Sequence, residues 1–192
     1  MAVTSSMIPL GTTAPDFSLP DVRTGATVSL GDFADRSALL VFFTCRHCPY
    51  VKHVADELVR LGKDYEGTDV GVVAIGANDP GLSPDDSPES LAEDADQRGY
   101  AFPVLFDASQ EVAAAYTAAC TPDFFLFDAH RTLRYRGRLD GSRPNTDTPV
   151  TGEDLRAAIE AVRTGGEVTE TQYPSTGCSI KWRTDEIPAH LS

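Results

Sequence analysis

The sequence is poor in cysteine, tryptophan and basic residues, and these shortages exclude several classes of protein. Its 192 residues contain four cysteines, one tryptophan and 16 Lys and Arg against 29 Asp and Glu, which gives a formal net charge of -13. Four cysteines are too few for a secreted scaffold held together by disulfides. The acidity argues against nucleic acid or anionic lipid as a partner, because both repel an acidic surface.

Long apolar runs are also missing. No uninterrupted apolar stretch approaches the roughly 18 residues of a membrane-spanning helix, so no membrane partner is expected. Residues 1–11 have no basic start followed by an apolar stretch, and therefore show no secretory signal. We expect a cytoplasmic protein, in a reducing compartment where a cysteine is catalytic, metal-bound or inert rather than part of a structural disulfide.

The apolar residues that are present indicate an α/β fold. Three continuous runs predict strands buried on both faces, at residues 39–43, 70–75 and 124–127. Helical periodicity predicts four helices, over residues 50–65, 87–98, 109–116 and 151–164. Ser87 and Gly99 are suitable caps for the second of these helices. This alternation is typical of a central sheet with helices on both faces.

Short connections predict two antiparallel hairpins. Residues 128–131 join strand 124–127 to a further predicted strand over 133–139, so the sheet should be mixed. A second hairpin is predicted between residues 15–19 and 26–30. We assign one domain to residues 1–164, and a C-terminal tail packed on or near it to residues 165–192, where periodicity is weak.

Charge is unevenly distributed along the chain. Seven carboxylates and no basic residue lie between Asp79 and Asp96, which predicts a solvated loop and helix face. Arg134, Arg136 and Arg138 alternate along a predicted strand and should share one of its faces. Two interpretations of these arginines remain: they lie on a solvated sheet face, or they form a docking patch for an acidic partner.

The most informative motif is Cys45-Arg46-His47-Cys48, between a buried strand and an amphipathic helix. The free N–H groups and the dipole at a helix start favour an anion, so we expect a lowered pKa for the Cys45 thiol. Arg46, and His47 when protonated, add positive charge and are expected to modulate this pKa. Cys48 lies one turn further on and should be less exposed. The motif predicts a redox-active thiol pair that needs no cofactor.

Two alternatives to a redox pair remain open. The cysteines could be metal ligands, but a structural zinc site needs two more soft ligands. His53, Cys120 and Cys178 are available, yet the chain has no second Cys-x-x-Cys and no His-x3-His spacing, so no metal is assigned. The other alternative is an inert buried pair.

A second element, Cys120-Thr121-Pro122, directly precedes the buried strand at 124–127. Proline cannot donate to a sheet ladder and belongs at a strand start, and a cis Thr121–Pro122 bond would explain its presence here. Cys120 and Cys178 have two readings. Either they are idle buried thiols, or one of them is a relay that takes over a disulfide from Cys45 and Cys48.

Together these motifs resemble the thioredoxin-fold superfamily and, within it, the alkyl hydroperoxide reductase/thiol-specific antioxidant group, also called redoxins. The segments that carry the resemblance are GTTAPDFSLP at 11–20, CRHCPY at 45–50, FPVLFD at 102–107 and TPDFFLFD at 121–128. With the tail PSTGCSIKW at 174–182, the chain looks most like a peroxiredoxin-like subgroup that keeps a Cys-x-x-Cys motif.

The resemblance implies a thioredoxin-like three-layer sandwich with an N-terminal β-hairpin added. It implies Cys45 as the nucleophile and Cys48 as the resolving thiol. Pro122 would be a cis-proline facing them, and the Thr121 backbone would pair with an extended substrate chain. The implied activity is thiol–disulfide exchange on a protein or small-molecule disulfide or thiol. A thioredoxin or glutathione system would supply the reducing partner.

The chain also departs from these families. Thr44 stands where thioredoxins usually have tryptophan, and Leu39 replaces their buried carboxylate. The proline and threonine that precede a peroxidatic cysteine are not at the expected spacing. A peroxidase that uses Cys45 on a peroxide is therefore the alternative activity. A metal-binding module built on Cys45, Cys48 and His53 is the further alternative.

Overall fold

The computed structural model describes residues 2–183 and residue 188. Its strands are β1 Ala2–Thr4, β2 Ser18–Pro20, β3 Thr27–Ser29, β4 Ala38–Thr44, β5 Val70–Gly76, β6 Val104–Phe106, β7 Cys120–Thr121, β8 Asp123–Asp128, β9 Leu133–Gly137 and β10 Thr176–Ser179. Its helices are α1 Pro49–Tyr65, α2 Pro88–Arg98, α3 Glu111–Ala115 and α4 Glu153–Arg163.

A five-stranded mixed sheet in the order β6-β5-β4-β8-β9 forms the centre of the molecule. The two strands β4 and β5 pair in parallel, and β8 pairs antiparallel with both β4 and β9. Every residue of β4 and β5 is buried, as the continuous apolar runs predicted. The hairpin β8–β9 and the shorter N-terminal hairpin β2–β3 are confirmed.

The two faces of the sheet carry different layers. Leu40 and Phe42 of β4 pack against α1, α2 and α4 on one face. Leu39, Val41 and Phe43 pack on the other face against α3, the N-terminal hairpin and residues just after β10. This alternation follows from the period of two in a strand. The α/β sandwich with helices on both faces is therefore confirmed.

Among the described residues, no helix has the length and hydropathy that crossing a bilayer would require.

Helix α2 has the predicted caps. The Ser87 side chain accepts a hydrogen bond from the Ser90 amide at 3.2 Å, and Gly99 adopts the left-handed conformation with φ of 73°. Both are standard ways to satisfy the backbone groups at helix ends.

The arginines in β9 and directly after it correct one prediction. Arg136 is not on a solvated face but completely buried, 3.2 Å from the Asp123 carboxylate and 4.2 Å from the centroid of the Phe125 ring. Arg134 and Arg138 pair with carboxylates of the same chain, at Asp128 and Asp154. These internal pairs leave the docking patch without support.

The predicted tail contains a strand that the sequence did not indicate. Strand β10 lies between β1 and β7 in a separate antiparallel sheet, in which Cys178 is opposite both Ala2 and Thr121. The segment TGCS has few β-forming residues and no apolar alternation, because its pairing comes from distant parts of the chain rather than from its own pattern. The N-terminus and the tail thus meet at the strand that precedes Pro122.

Gly177 shows how closely β10 approaches β7. A Cβ at this position would overlap the Thr121 carbonyl, whose backbone cannot move aside easily. We expect Gly177→Ala to lower the free energy of unfolding by about 1–3 kcal/mol through overpacking. Gly31→Ala is the matched control, since a Cβ there meets only ordinary contact with the Ser29 hydroxyl. Urea unfolding of both variants is the measurement, and equal stabilities would contradict this packing.

Candidate active site

The loop between β4 and α1 presents the Cys-x-x-Cys motif. Strand β4 ends at Thr44, and Pro49 occupies the first turn of α1, where a missing N–H costs nothing. Cys48 is the residue that caps this helix, with extended φ and ψ of -64° and 125°. The helix dipole therefore acts first on Cys48, and Cys45 lies one turn before the helix rather than at its start.

Thr121 contacts both thiols. The Cys45 Sγ lies 3.1 Å from the Thr121 hydroxyl, and the Cys48 Sγ lies 3.2 Å from the Thr121 carbonyl oxygen. The Thr121–Pro122 peptide bond is cis, as the resemblance implied. One residue thus orients the two sulfurs, through its side chain and its backbone respectively.

Both thiols are buried. Cys45 is 2% exposed and Cys48 is fully inaccessible, and they form one small cluster with Val51, Tyr50 and Cys178. The resemblance implied that an extended substrate chain would pair with Thr121, but Cys178 of β10 already occupies that register. The substrate-binding role of Thr121 and Pro122 stays a prediction, and in this structure the chain's own strand β10 lies at the expected substrate position.

The two thiols titrate as a pair, and the expected lowering of the Cys45 pKa is wrong. The hydrogen bond to Cys45 lowers the pKa of Cys48 to about 4, against the opposing effect of burial. The pKa of Cys45 is raised by the same hydrogen bond, by burial and by the Asp86 carboxylate. The pair thus loses one proton readily and holds the second strongly.

Asp86 is a site residue that the sequence analysis missed. It is only 1% exposed, so the prediction that the acidic segment lies on a solvated surface is wrong for Asp86. Its Oδ1 accepts the amides of Arg46 and His47 at 2.7 and 3.2 Å. Its Oδ2 accepts from the Ser83 hydroxyl at 2.6 Å and from the Asn78 amide at 2.8 Å. Asp86 therefore fixes the backbone of the residues between the two cysteines.

The Asp86 carboxylate stays ionised in this position. Burial would raise its pKa, but hydrogen bonds from Ser83, Asn78 and the Arg46 amide, together with the nearby His47, lower the pKa below its usual value. Its charge also reaches the His47 ring, whose Nδ1 contacts the second carboxylate oxygen. The only sequence signal for this role is the acidic segment itself, which does not show which of its members points inward.

Arg46 and His47, the expected modulators, have different side-chain partners. The Arg46 guanidinium is partly exposed and 3.3 Å from the Glu93 carboxylate, so a counter-charge offsets its effect on the thiols. The His47 ring is held by Asp86 and lies 3.1 Å from the Ser83 hydroxyl. His47 is thus the modulator whose position is fixed.

The two remaining cysteines differ in environment. Cys120 is fully buried, its sulfur faces the Pro122 carbonyl at 3.7 Å, and burial raises its pKa. Cys178 is partly exposed and contacts Cys48 directly, and burial followed by this contact raises its pKa to about 11. Of the two relay candidates, the structure brings only Cys178 into the thiol cluster.

Among the described residues, the group close enough to share a metal ion is Cys45, His47 and Asp86, with donor atoms within 4.8 Å of one another. Three donors that include a carboxylate fall short of the four-ligand soft set of a structural zinc site. His53, named for the metal-binding alternative, lies instead beside a cleft next to Pro122, 3.0 Å from the Ser142 hydroxyl. The geometry thus gives the module of Cys45, Cys48 and His53 no support.

Replacing Asp86 should make stability less dependent on pH. The lowered pKa means that Asp86 stabilises the fold above the usual carboxyl value near 3.9 and that this contribution is lost as pH falls through the folded pKa. We expect Asp86→Asn to cost about 1–3 kcal/mol at neutral pH, with a deficit that narrows in acid. Urea unfolding between about pH 7 and pH 3 measures this. The exposed neighbour Asp85→Asn is the control, and a deficit that grows in acid would contradict the assignment.

The lowered pKa of the thiol pair should be visible directly. The reduced protein should carry one thiolate at neutral pH, seen as an ultraviolet absorbance that disappears on acidification. We expect Cys48→Ser to remove this signal and Cys120→Ser to keep it, because the Cys120 pKa is raised by burial. An absorbance step that appears only in alkali would contradict the coupled pair.

Comparison with known proteins agrees with this site. The model of the AhpC/TSA family matches residues 10–136. A Mycobacterium tuberculosis protein named as a peroxiredoxin is 36% identical over 119 residues, which are 62% of this chain and 69% of that protein. The thiol-disulfide oxidoreductase ResA of Geobacillus kaustophilus is 28% identical over 158 residues, or 81% of this chain and 79% of that protein.

Solved structures confirm the fold. The crystal structure of an uncharacterized conserved protein from Geobacillus kaustophilus has a TM-score of 0.93 and 52% identity, over 96% of this chain and 97% of that chain. The thioredoxin domain of a Bacteroides vulgatus thiol-disulfide oxidoreductase, at 16% identity and a TM-score of 0.63, covers 82% of this chain and 99% of that chain and shows the same fold. The fold is thioredoxin-like, and the chain belongs to the AhpC/TSA family.

Proposed function

We propose that the protein is a thiol–disulfide oxidoreductase that cycles Cys45 and Cys48 between a dithiol and a disulfide. The observation that carries this proposal is the packing of the two sulfurs in one buried cluster, where both contact Thr121 beside a cis-proline. A sulfur pair in contact can close to a disulfide with little movement. The relationship to a thiol-disulfide oxidoreductase over most of the chain supports the same activity.

The thiol pair supplies the nucleophile. One proton leaves the pair readily and leaves its charge on Cys48. Attack by Cys45 therefore requires its proton to pass to Cys48, which moves the negative charge to Cys45. There the Thr121 hydroxyl donates to the anion, an interaction that lowers the Cys45 pKa. Cys45 keeps the residual exposure of the pair, which makes it the sulfur that reaches a substrate.

Exchange then follows in two steps. The Cys45 thiolate attacks one sulfur of a substrate disulfide, forms a mixed disulfide and releases the other substrate sulfur as a thiolate. Cys48 next attacks the Cys45 sulfur, closes the Cys45–Cys48 disulfide and releases the second substrate sulfur, so that two electrons pass to the substrate. The same steps in reverse oxidise a dithiol substrate.

Asp86 positions the loop for this chemistry. By accepting the amides of Arg46 and His47 it holds the turn that keeps the two sulfurs adjacent. Its negative charge also opposes the anion on Cys45, which raises the energy of that thiolate and so makes it a better nucleophile once formed.

The covered site favours compact substrates. An extended protein strand would have to replace β10 at Thr121, whereas a small disulfide or a flexible exposed one needs only a gap beside Cys45. A thioredoxin or glutathione system in a reducing cytoplasm is the proposed source of electrons. Fractionation of cells that make the protein tests the proposed location.

Reduction of a peroxide is the second candidate, because the relative of 36% identity is named as a peroxiredoxin. The Cys45 thiolate would attack a peroxide oxygen, break the O–O bond and become a sulfenic acid, while the other oxygen leaves as water or an alcohol after taking up a proton. Cys48 would then condense with the sulfenic acid, form the Cys45–Cys48 disulfide and release water. Consumption of hydrogen peroxide in an assay coupled to a thiol reductant separates this activity from disulfide exchange.

Substitution of Cys45 tests the proposed function. We expect Cys45→Ser to reduce a model disulfide only at the uncatalysed rate, because serine cannot form the mixed disulfide. Cys120→Ser should keep the wild-type rate, since Cys120 lies outside the thiol cluster. A Cys45→Ser protein that turns over like the wild type would overturn the assignment. Peroxide consumption without disulfide exchange would favour the second candidate.

A further inference from the structure

Strand β10 places a third thiol at the site. Its residue Cys178 lies opposite Thr121 in the antiparallel register and packs against the cluster that contains Cys45 and Cys48. Thr121 in turn contacts both Cys45 and Cys48. Three of the four cysteines of the chain therefore meet around one residue.

Contacts on both sides hold β10 in place. Before the strand, Ser175 donates from its hydroxyl to the Gly137 carbonyl at 2.7 Å and from its amide to the Ser5 hydroxyl at 3.0 Å. After it, Ile180 and Trp182 are 3% and 9% exposed and belong to the core. Displacing β10 would expose these side chains, so the strand is an integral part of the site.

The tail is also tied to the loop that carries the motif. Asn78 accepts the Lys181 amide at 2.9 Å and donates to the Asp86 carboxylate at 2.8 Å. Asp86 holds the amides of Arg46 and His47. One network thus sets the position of the motif cysteines and the position of the strand that bears Cys178.

Exposure distinguishes the three sulfurs. Cys45 is 2% exposed and Cys48 is inaccessible, whereas Cys178 is partly exposed. A disulfide between Cys45 and Cys48 would lie under β10, where a reducing protein cannot reach it without moving the strand. Cys178 is the sulfur that connects the buried pair to the surface.

We propose that Cys178 is a third redox thiol, which takes over the disulfide from Cys45 and presents it to the reductant. This proposal rests on the oxidoreductase function and adds the route by which the oxidised site is reduced. Cys120 is not part of the route, because its sulfur is fully buried and faces the Pro122 carbonyl.

The exchange is balanced within the chain. The Cys178 thiolate attacks the Cys48 sulfur of the Cys45–Cys48 disulfide, the Cys48–Cys178 bond forms, and Cys45 leaves as a thiolate. The proton lost by Cys178 is taken up by Cys45, and no electrons enter or leave. An external thiol then attacks the Cys178 sulfur and a second one completes the reduction, which supplies the two electrons.

Disulfide mapping tests this proposal. Fully reduced protein is oxidised with limiting oxidised glutathione, quenched in acid, alkylated and digested, and linked peptides are identified by mass. We expect wild type and Cys120→Ser to contain both the Cys45–Cys48 and the Cys48–Cys178 peptides. In Cys45→Ser, Cys48–Cys178 should become the main internal linkage. Complete alkylation of Cys178 in oxidised wild type, together with an unlinked Cys45→Ser, would overturn the proposal.

Turnover gives an independent readout. With a thioredoxin system as reductant, we expect Cys178→Ser to slow steady-state reduction of a model disulfide about tenfold, because the buried disulfide is less accessible. A wild-type rate in Cys178→Ser would overturn the relay and leave the Cys45–Cys48 couple intact. Failure of that couple itself would appear differently, as oxidised wild type that contains neither the Cys45–Cys48 nor the Cys48–Cys178 peptide.

Discussion

The antiparallel pairing of Cys178 with Thr121 is the contact on which the site depends. It brings the N-terminal strand, the tail and the segment before Pro122 into one small sheet. The same pairing covers Cys45 and Cys48 and places a third sulfur against them. The resemblance implied that a substrate chain would pair here, whereas this chain places its own strand at Thr121. The tail, through β10, therefore limits how a substrate or reductant reaches the thiols as much as the motif does.

Burial also explains how the thiol pair holds its charge. Because the cluster is buried, the protonated sulfur rather than solvent stabilises the charge on the other sulfur. That hydrogen bond lowers one pKa and raises the other, which prepares a single nucleophile instead of two. Asp86 adds a fixed carboxylate within 4.8 Å of the Cys45 sulfur and, through Asn78, connects the motif with the tail.

The sequence predicted the parts of the fold that depend on local patterns. The apolar runs of β4 and β5, the periodicity of α1 and the caps of α2 all follow from residues close together in the chain. The Cys-x-x-Cys motif was likewise recognisable from its position between a predicted strand and a predicted helix.

Features that depend on distant partners could not be predicted in this way. Strand β10 exists because Thr121 and Ala2 lie beside it, not because TGCS favours a strand. Asp86 is one of seven similar carboxylates, and only the fold shows that it turns inward to the Arg46 and His47 amides. The expected pKa of Cys45 was wrong for the same reason, because the helix starts at Cys48 and the burial of both thiols was not visible in the sequence.

The reduction potential of the thiol couple tests the central claim most directly. The protein is equilibrated in mixtures of reduced and oxidised glutathione, quenched in acid and alkylated, and its free thiols are counted by mass. We expect one reversible two-electron transition that removes two of the four thiols. A protein that keeps all four thiols across these mixtures, or that only forms mixed disulfides with glutathione, would contradict a redox function for this site.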